Sequence, residues 1–309
     1  MQKPPFQKAM LHPKYWGIWF GVGLAASLSF LPYKVQLSIG KGLGILLHKV
    51  LKSRRRVAEV NIRLCFPELS ADEQAQLVRE NFINTATGFM ETMIAWFRHP
   101  HYLLDKTEFR GLDKIAAAQK SGKGVLLLGA HYTMLDLVGT LTCNYVEANI
   151  TYKRQHNLVL NWIMEACRAR TYKIMFISKD IRGVVAALNN KEVVWYAPDQ
   201  DFGFKNTVFA PFFGVQAATL TTTTHLASAG NAVVLPLTYF RKNDNSGYLI
   251  EFHDALPIPS GDVVQDATIA NACLEQQIRR FPSQYLWLHQ RFKSQPGQEN
   301  NRGAIYKKK

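Results

Sequence analysis

The chain is short of acids: its 309 residues hold 23 Asp and Glu against 37 Lys and Arg, a net charge of +14. Such a balance calls for an anionic partner, whether nucleic acid, phospholipid, or a phosphorylated or acidic substrate. No zinc-finger spacing, basic zipper or aromatic RNA-binding signature occurs, which disfavours nucleic acid. Cysteine is scarce as well. Cys65, Cys143, Cys167 and Cys273 lie far apart without paired spacing, so a disulfide frame or thiolate metal site is excluded and a reducing, cytosol-facing setting is expected. There is no Gly-rich phosphate loop and no zinc helix motif. The absence of any Gly-x-Ser-x-Gly elbow leaves a Ser-His-Asp hydrolase without a way to present its serine.

Near the N-terminus, Trp16 to Leu31 is free of charge. Sixteen helical residues rise about 24 Å, short of a ~30 Å hydrocarbon core. Tyr15, Trp16, Trp19 and Tyr33 stand where interfacial aromatics would, with Lys14 and Lys34 placed to snorkel. No small-residue cleavage site follows. The expectation is therefore a single uncleaved membrane anchor over residues 1–34, spanning or deeply interfacial. Val35 to Val57 mixes apolar residues at helical spacing with Lys41, Lys49, Lys52, Arg54, Arg55 and Arg56. It reads as a basic amphipathic segment lying on an anionic leaflet. The positive-inside rule then puts the main domain, residues 35–294, on the cytoplasmic side. The tail, 295–309, is polar and is expected to be disordered.

Beyond that, strands and helices alternate. Ser70-Ala71-Asp72-Glu73 is a capping-box signature opening a helix that runs to about Trp96. Helices are expected at 112–120, 136–143, 158–170, 180–190, 217–229 and 262–280. Strands are expected at 125–128, 146–152, 173–177, 192–197, 232–239 and 247–254, with a loop at 198–216. This alternation argues an α/β domain with a mainly parallel central sheet flanked by helices.

The organising stretch is Gly124-Val-Leu-Leu-Leu-Gly-Ala-His131-Tyr-Thr-Met-Leu-Asp136. A glycine-bounded apolar run reads as a buried parallel strand, and it delivers His131 at the carboxyl end, where open α/β sheets place their chemistry. On one continuous helix a five-residue separation leaves the two side chains about 140° apart. His131 and Asp136 can therefore meet only if His131 lies in the turn before the helix. A carboxylate that holds an imidazole makes a general base. Further along, Pro198-Asp199-Gln200-Asp201 places two carboxylates at another strand end. They are able to bind a sugar or amine, orient a base or, with His131 and Asp136, hold a metal. Tyr152-Lys153-Arg154 and Cys167-Arg168-Ala169-Arg170 bring cations to two more element ends, and an arginine fork suits phosphate.

Together these residues resemble the late acyltransferases of lipid A biosynthesis, the lauroyl and myristoyl Kdo2-lipid A acyltransferases. The resemblance rests on four motifs in order: His131-Tyr-Thr-Met-Leu-Asp136; Glu192-Val-Val-Trp-Tyr-Ala-Pro-Asp-Gln-Asp-Phe-Gly203; Val208-Phe-Ala-Pro-Phe-Phe-Gly214 with Ala-Ala-Thr219; and Gln284-Tyr-Leu-Trp-Leu-His-Gln-Arg-Phe-Lys293. The first is shared with glycerolipid acyltransferases, and the implied fold is glycerolipid-acyltransferase-like. What the resemblance implies is an enzyme of the bacterial inner membrane. It moves a fatty acyl chain from acyl carrier protein to a hydroxyacyl group of Kdo2-lipid IVA or its monoacylated product. Its partners would be the carrier protein, the lipid A precursor and anionic lipids, with no nucleic acid. No cofactor is implied on the enzyme, because the donor carries its own phosphopantetheine, and no metal. His131 would be the base, Asp136 its orienting acid, and Arg168 the oxyanion or substrate-anion group. Arg154, Asp199 and Asp201 would contact substrate. The alternatives are the same chemistry on a glycerolipid or mannolipid acceptor, and a non-catalytic lipid-binding module.

Overall fold

The computed structural model describes residues 4–307. Four helices come first: α1 (Trp16–Ser29), α2 (Tyr33–Val50), α3 (Lys52–Cys65) and α4 (Ala71–Phe97). The α/β body follows with β1 (Thr107–Arg110), α5 (Leu112–Lys120), β2 (Gly124–Leu128), α6 (Leu135–Thr142), β3 (Ala148–Tyr152), α7 (Leu158–Arg168), β4 (Met175–Ile177), α8 (Ile181–Asn189) and β5 (Val193–Tyr196). It continues through β6 (Thr207–Phe212), β7 (Val215–Leu220), α9 (Thr222–Ala229), β8 (Ala232–Arg241), β9 (Tyr248–Phe252) and α10 (Val263–Arg280).

The main sheet has seven strands in the order β1-β9-β8-β2-β5-β3-β4. Strands β8, β2, β5, β3 and β4 run parallel, β9 returns antiparallel to β8, and β1 lies parallel to β9. The expected mainly parallel α/β sheet is therefore present. Strand β2 is wholly buried at its centre, flanked by β8 on one side and β5 on the other. Chain leaving β2 crosses to β3 on one side, and β8 later closes the other. That switch in direction opens a crevice at the strands' carboxyl ends.

Side chains alternate across a strand. A Cβ at Gly124 would meet Leu188 of α8, so α8 lies on that face. Leu127, on the opposite face, lines a cavity with α6 and α7. Helix α4 buttresses α6 and α7 from outside. Its N-terminus carries the predicted capping box: Ser70 N–H donates to Glu73 Oε2 at 2.8 Å, and Glu73 N–H to Ser70 Oγ at 3.3 Å. Deeper in α4, the fully buried Glu91 accepts from Arg241 at 2.8 and 3.1 Å and from the Tyr248 hydroxyl at 2.7 Å. A buried carboxylate survives only when paired and hydrogen-bonded, so this cluster fixes α4 against β8 and β9.

The N-terminus corrects the expected membrane anchor. Helix α1 has 14 residues, a rise of about 21 Å, and no helix among the described residues is long and apolar enough to cross a membrane. Two features stop it. Pro32 has no N–H with which to continue the helix. The buried Gln36 side chain donates to Ser29 O at 3.0 Å and Leu31 O at 2.8 Å, taking up the carbonyls left free where the chain turns. One side of α1, through Trp19 and Val22, packs on Val159 and Ile163 of α7, and Ala25 and Ser29 are buried. Trp16, Phe20 and Leu24 on the other side are exposed. A single N-terminal anchor, and the localisation built on it, are thus not supported. The basic segment 35–57 is not one helix either, since α2 and α3 meet at Leu51.

The stretch 198–216, expected as loop, contains β6 and the start of β7, an antiparallel pair separate from the main sheet. The tail, as far as it is described, lies against the body: Tyr306 is buried, and its hydroxyl donates to Asn61 Oδ1 at 2.6 Å.

Candidate active site

Strand β2 ends at Leu128, and Gly129 N–H donates to Tyr196 O on β5 at 2.9 Å. Glycine is required at 129 because a Cβ there would overlap the Trp195 indole. The next residues pair with the C-terminal motif. Leu286 N–H donates to His131 O, and Thr133 N–H to Gln284 O, each at 2.9 Å. His131 therefore sits in a braced turn before α6, as the glycine implied. Tyr239, on β8, secures the same turn through its hydroxyl on Ala130 O at 2.7 Å.

The turn gives His131 a different carboxylate from the one five residues on. Its Nδ1 lies 2.6 Å from Asp199 Oδ1, and its backbone N–H donates to Asp199 Oδ2 at 2.9 Å. Asp199 comes from the loop after β5 and is 1% exposed. Asp136, on the first turn of α6, gives both oxygens to Arg168 of α7: Nε donates to Oδ1 at 2.7 Å and Nη2 to Oδ2 at 3.0 Å. All four residues are candidates of the sequence, and the fold sorts them into two acid–base pairs, His131–Asp199 and Asp136–Arg168.

Burial disfavours the imidazolium, but the Asp199 charge and hydrogen bond outweigh it, and the His131 pKa is raised despite opposition from Arg168. Burial would likewise raise Asp199. The His131 charge, that ring hydrogen bond and the backbone N–H instead hold it at about 2. With Nδ1–H pointed at a carboxylate, the neutral ring carries its lone pair on Nε2. Nε2 has no hydrogen-bond partner among the described residues, and His131 lines the cavity. Trp195 meets the ring edge-on at 6.1 Å.

The other two candidates lie elsewhere. Arg154 is exposed, 4.0 Å from Glu165, and it is its neighbour Lys153 that lines the cavity. Asp201 turns toward the C-terminus. Its carboxylate accepts from Ser294 N–H at 2.6 Å, Ser294 Oγ at 2.9 Å and Arg302 Nη2 at 2.7 Å. Its own N–H donates to His289 Nε2 at 3.1 Å. Burial pushes His289 down to about 4, so the ring stays neutral and can accept that bond.

The cavity, about 320 Å³, runs between α6, α7 and the Leu127 face of the sheet. His131, Asp136, Arg168 and Gln200 line it together with Leu127, Val138, Met164 and Leu237. Thr142, Cys143, Ala148 and Tyr172 line it at the other end of α6 and β3. A free imidazole lone pair, a buried guanidinium and an apolar slot suit proton removal from a hydroxyl beside an apolar substrate. Sequence reasoning missed this lining. The one signal available was Gly139, an unexplained glycine inside α6.

A sequence model of the family described as bacterial lipid A biosynthesis acyltransferase matches residues 3–294. The chain is 39% identical over 296 residues to a lipid A biosynthesis lauroyltransferase of Escherichia coli, covering 95% of this chain and 96% of the relative. It is 36% identical over 297 residues to a lipid A biosynthesis palmitoleoyltransferase of the same organism, covering 96% and 97%. A lipid A biosynthesis acyltransferase of Haemophilus influenzae is 34% identical over 303 residues, with 96% of each chain covered.

Proposed function

The chain belongs to the bacterial lipid A biosynthesis acyltransferase family, and from that premise we propose that it transfers a fatty acyl chain from acyl carrier protein to a hydroxyacyl group of a lipid A precursor, with His131 as general base. The observation that carries the reading is the His131 ring, oriented through Nδ1 by Asp199 at 2.6 Å and exposing Nε2 to a cavity of acyl-chain character.

His131 Nε2 removes the proton of the acceptor hydroxyl as that oxygen attacks the thioester carbonyl carbon. Asp199 supports the imidazolium. The carbonyl π electrons move to oxygen, and the Arg168 guanidinium, held by Asp136, favours the resulting negative charge. Collapse of the intermediate breaks the C–S bond, and the leaving sulfur takes the proton back from His131. The products are the ester and the carrier thiol. In this scheme Asp136 serves the reaction through Arg168, Asp199 through His131, and Asp201 by fixing the C-terminal motif that braces the His131 turn. An acidic carrier protein, an anionic glycolipid and anionic lipid surfaces all complement a +14 chain.

The test is an acyl-transfer assay with purified protein, Kdo2-lipid IVA and lauroyl-, myristoyl- and palmitoyl-carrier protein, beside His131→Ala. A product heavier by one acyl group, reduced by at least ~10² in the folded variant, is expected. Full activity in the variant would remove His131 as base. No product with any donor from folded wild type would move the weight to another lipid acceptor.

A further inference from the structure

Gly139 lies within α6, one turn beyond Asp136, where alanine would be the better helix former. Its hydrogen atom faces a phenol, because a Cβ there would overlap the Tyr172 hydroxyl. Tyr172 follows α7, held by its N–H on Arg168 O at 3.0 Å. Its hydroxyl makes no hydrogen bond within the described residues, so no polar partner explains the placement of the ring.

Its position explains it. Tyr172 and Cys143 line the cavity, and the same two residues line a surface depression of about 380 Å³ with Asn144, Glu147 and Lys173. Cys143 and Tyr172 are the residues common to both linings, which puts them between the two spaces as a partition. His131, Asp136 and Arg168 are the polar groups that line the same cavity. A chain whose carbonyl lies beside His131 therefore runs along Gly139 toward this partition.

We propose that Tyr172, seated over Gly139, closes the acyl cavity and sets the longest acyl chain that the enzyme accepts. The inference rests on the acyl-transfer reading for the identity of the ligand. Each methylene buried along the slot raises affinity about fourfold. The first methylene that cannot fit gains nothing, and forcing it in costs roughly tenfold or more. Gly139 tunes the limit by leaving the ring room to lie back against α6. A larger residue at 139 pushes the hydroxyl into the slot and shortens it. Loss of the ring joins the cavity to the depression and lets a longer chain pass.

The experiment follows thermal stabilisation of the full-length protein by the saturated fatty acids from octanoic to stearic, each below its micelle concentration. Wild type, Tyr172→Leu, Gly139→Ala and Tyr172→Phe are compared. Stabilisation should climb with length and then stop in wild type. It should stop at a longer acid in Tyr172→Leu, at a shorter one in Gly139→Ala, and unchanged in Tyr172→Phe, which keeps the ring. The two informative variants move in opposite directions, so either one that folds decides the matter. An unchanged limit in a folded Tyr172→Leu or Gly139→Ala protein overturns the proposal, as does a wild type whose stabilisation shows no length dependence. A wild type that binds in the graded way yet transfers no acyl group would remove the acyl-transfer reading and leave the cavity limit intact.

Discussion

At the scale of single residues, His131 and Asp199 make the most exacting prediction. As the proposed base, His131 works deprotonated, so the acidic limb of the pH–rate profile should follow its pKa, which Asp199 raises. Asp199→Asn removes the charge that favours the imidazolium, and the limb should move to lower pH while the plateau falls. Asp136→Asn leaves the Asp199 contact in place and should move the limb less. A larger shift in Asp136→Asn would make that residue the working partner. The pair also acts on stability. A raised histidine pKa stabilises below about 6.5, and that benefit fades as pH rises through the folded value. A depressed aspartate pKa stabilises above about 3.8 and is lost as pH falls toward about 2. The joint contribution is thus greatest between roughly pH 4 and 6.5. His131, Asp136, Arg168 and Asp199 were all legible in the sequence as candidates. Which acid meets which base was not, because the pairing depends on how the turn before α6 is braced by a segment some 150 residues later.

At the scale of elements, α2 against α4 is the sharpest case. A Cβ at Gly44 would overlap the α4 backbone at Ile83 and approach Phe82 O to 2.8 Å, and one at Gly40 would lie 2.8 Å from the Thr87 Cα. Gly42, on the same helix, has nothing within 4 Å. Gly44→Ala should therefore destabilise by about 1–3 kcal/mol through overpacking. Gly42→Ala should gain up to about 1 kcal/mol from helix propensity. Thermal melts of the two variants check this, and equal melting temperatures would deny the close helix contact. Capping chemistry made α4 readable, and apolar runs made β2 and β5 readable. The β6–β7 hairpin was hidden. Its turn is Phe213-Gly214, both with positive φ (52° and 73°), a two-residue geometry in which asparagine or glycine usually fills the first place. Here Phe213 is held there by its N–H on Glu275 of α10 at 2.7 Å, and by packing against Phe66 and Trp287.

Over the whole molecule, charge is the property that reaches furthest. An excess of +14 steers acidic partners to encounter. With acyl carrier protein as donor, kcat/KM should fall by roughly tenfold or more from low to physiological salt while kcat changes little. A salt-independent kcat/KM would rule out electrostatic capture of the donor. On the side of this chain, that prediction needs only the composition. Composition and local pattern also determined the α/β alternation and the central strand, because periodicity, glycine breaks and caps act over a few neighbouring residues. The same patterns named His131, Asp136, Arg168 and Asp199 as candidates, though also Arg154 and Asp201, which the fold takes elsewhere. They failed for α1. A charge-free run looks the same whether lipid or protein covers it, and only the packing of Trp19 and Val22 on α7 and the turn at Pro32 separate the two. The cavity was out of reach for a related reason. Its walls come from α6, β3, α7 and the turn beyond it, and the empty volume between them exists only once those elements are packed at fixed distances, with Tyr172 resting on the glycine of a neighbouring helix.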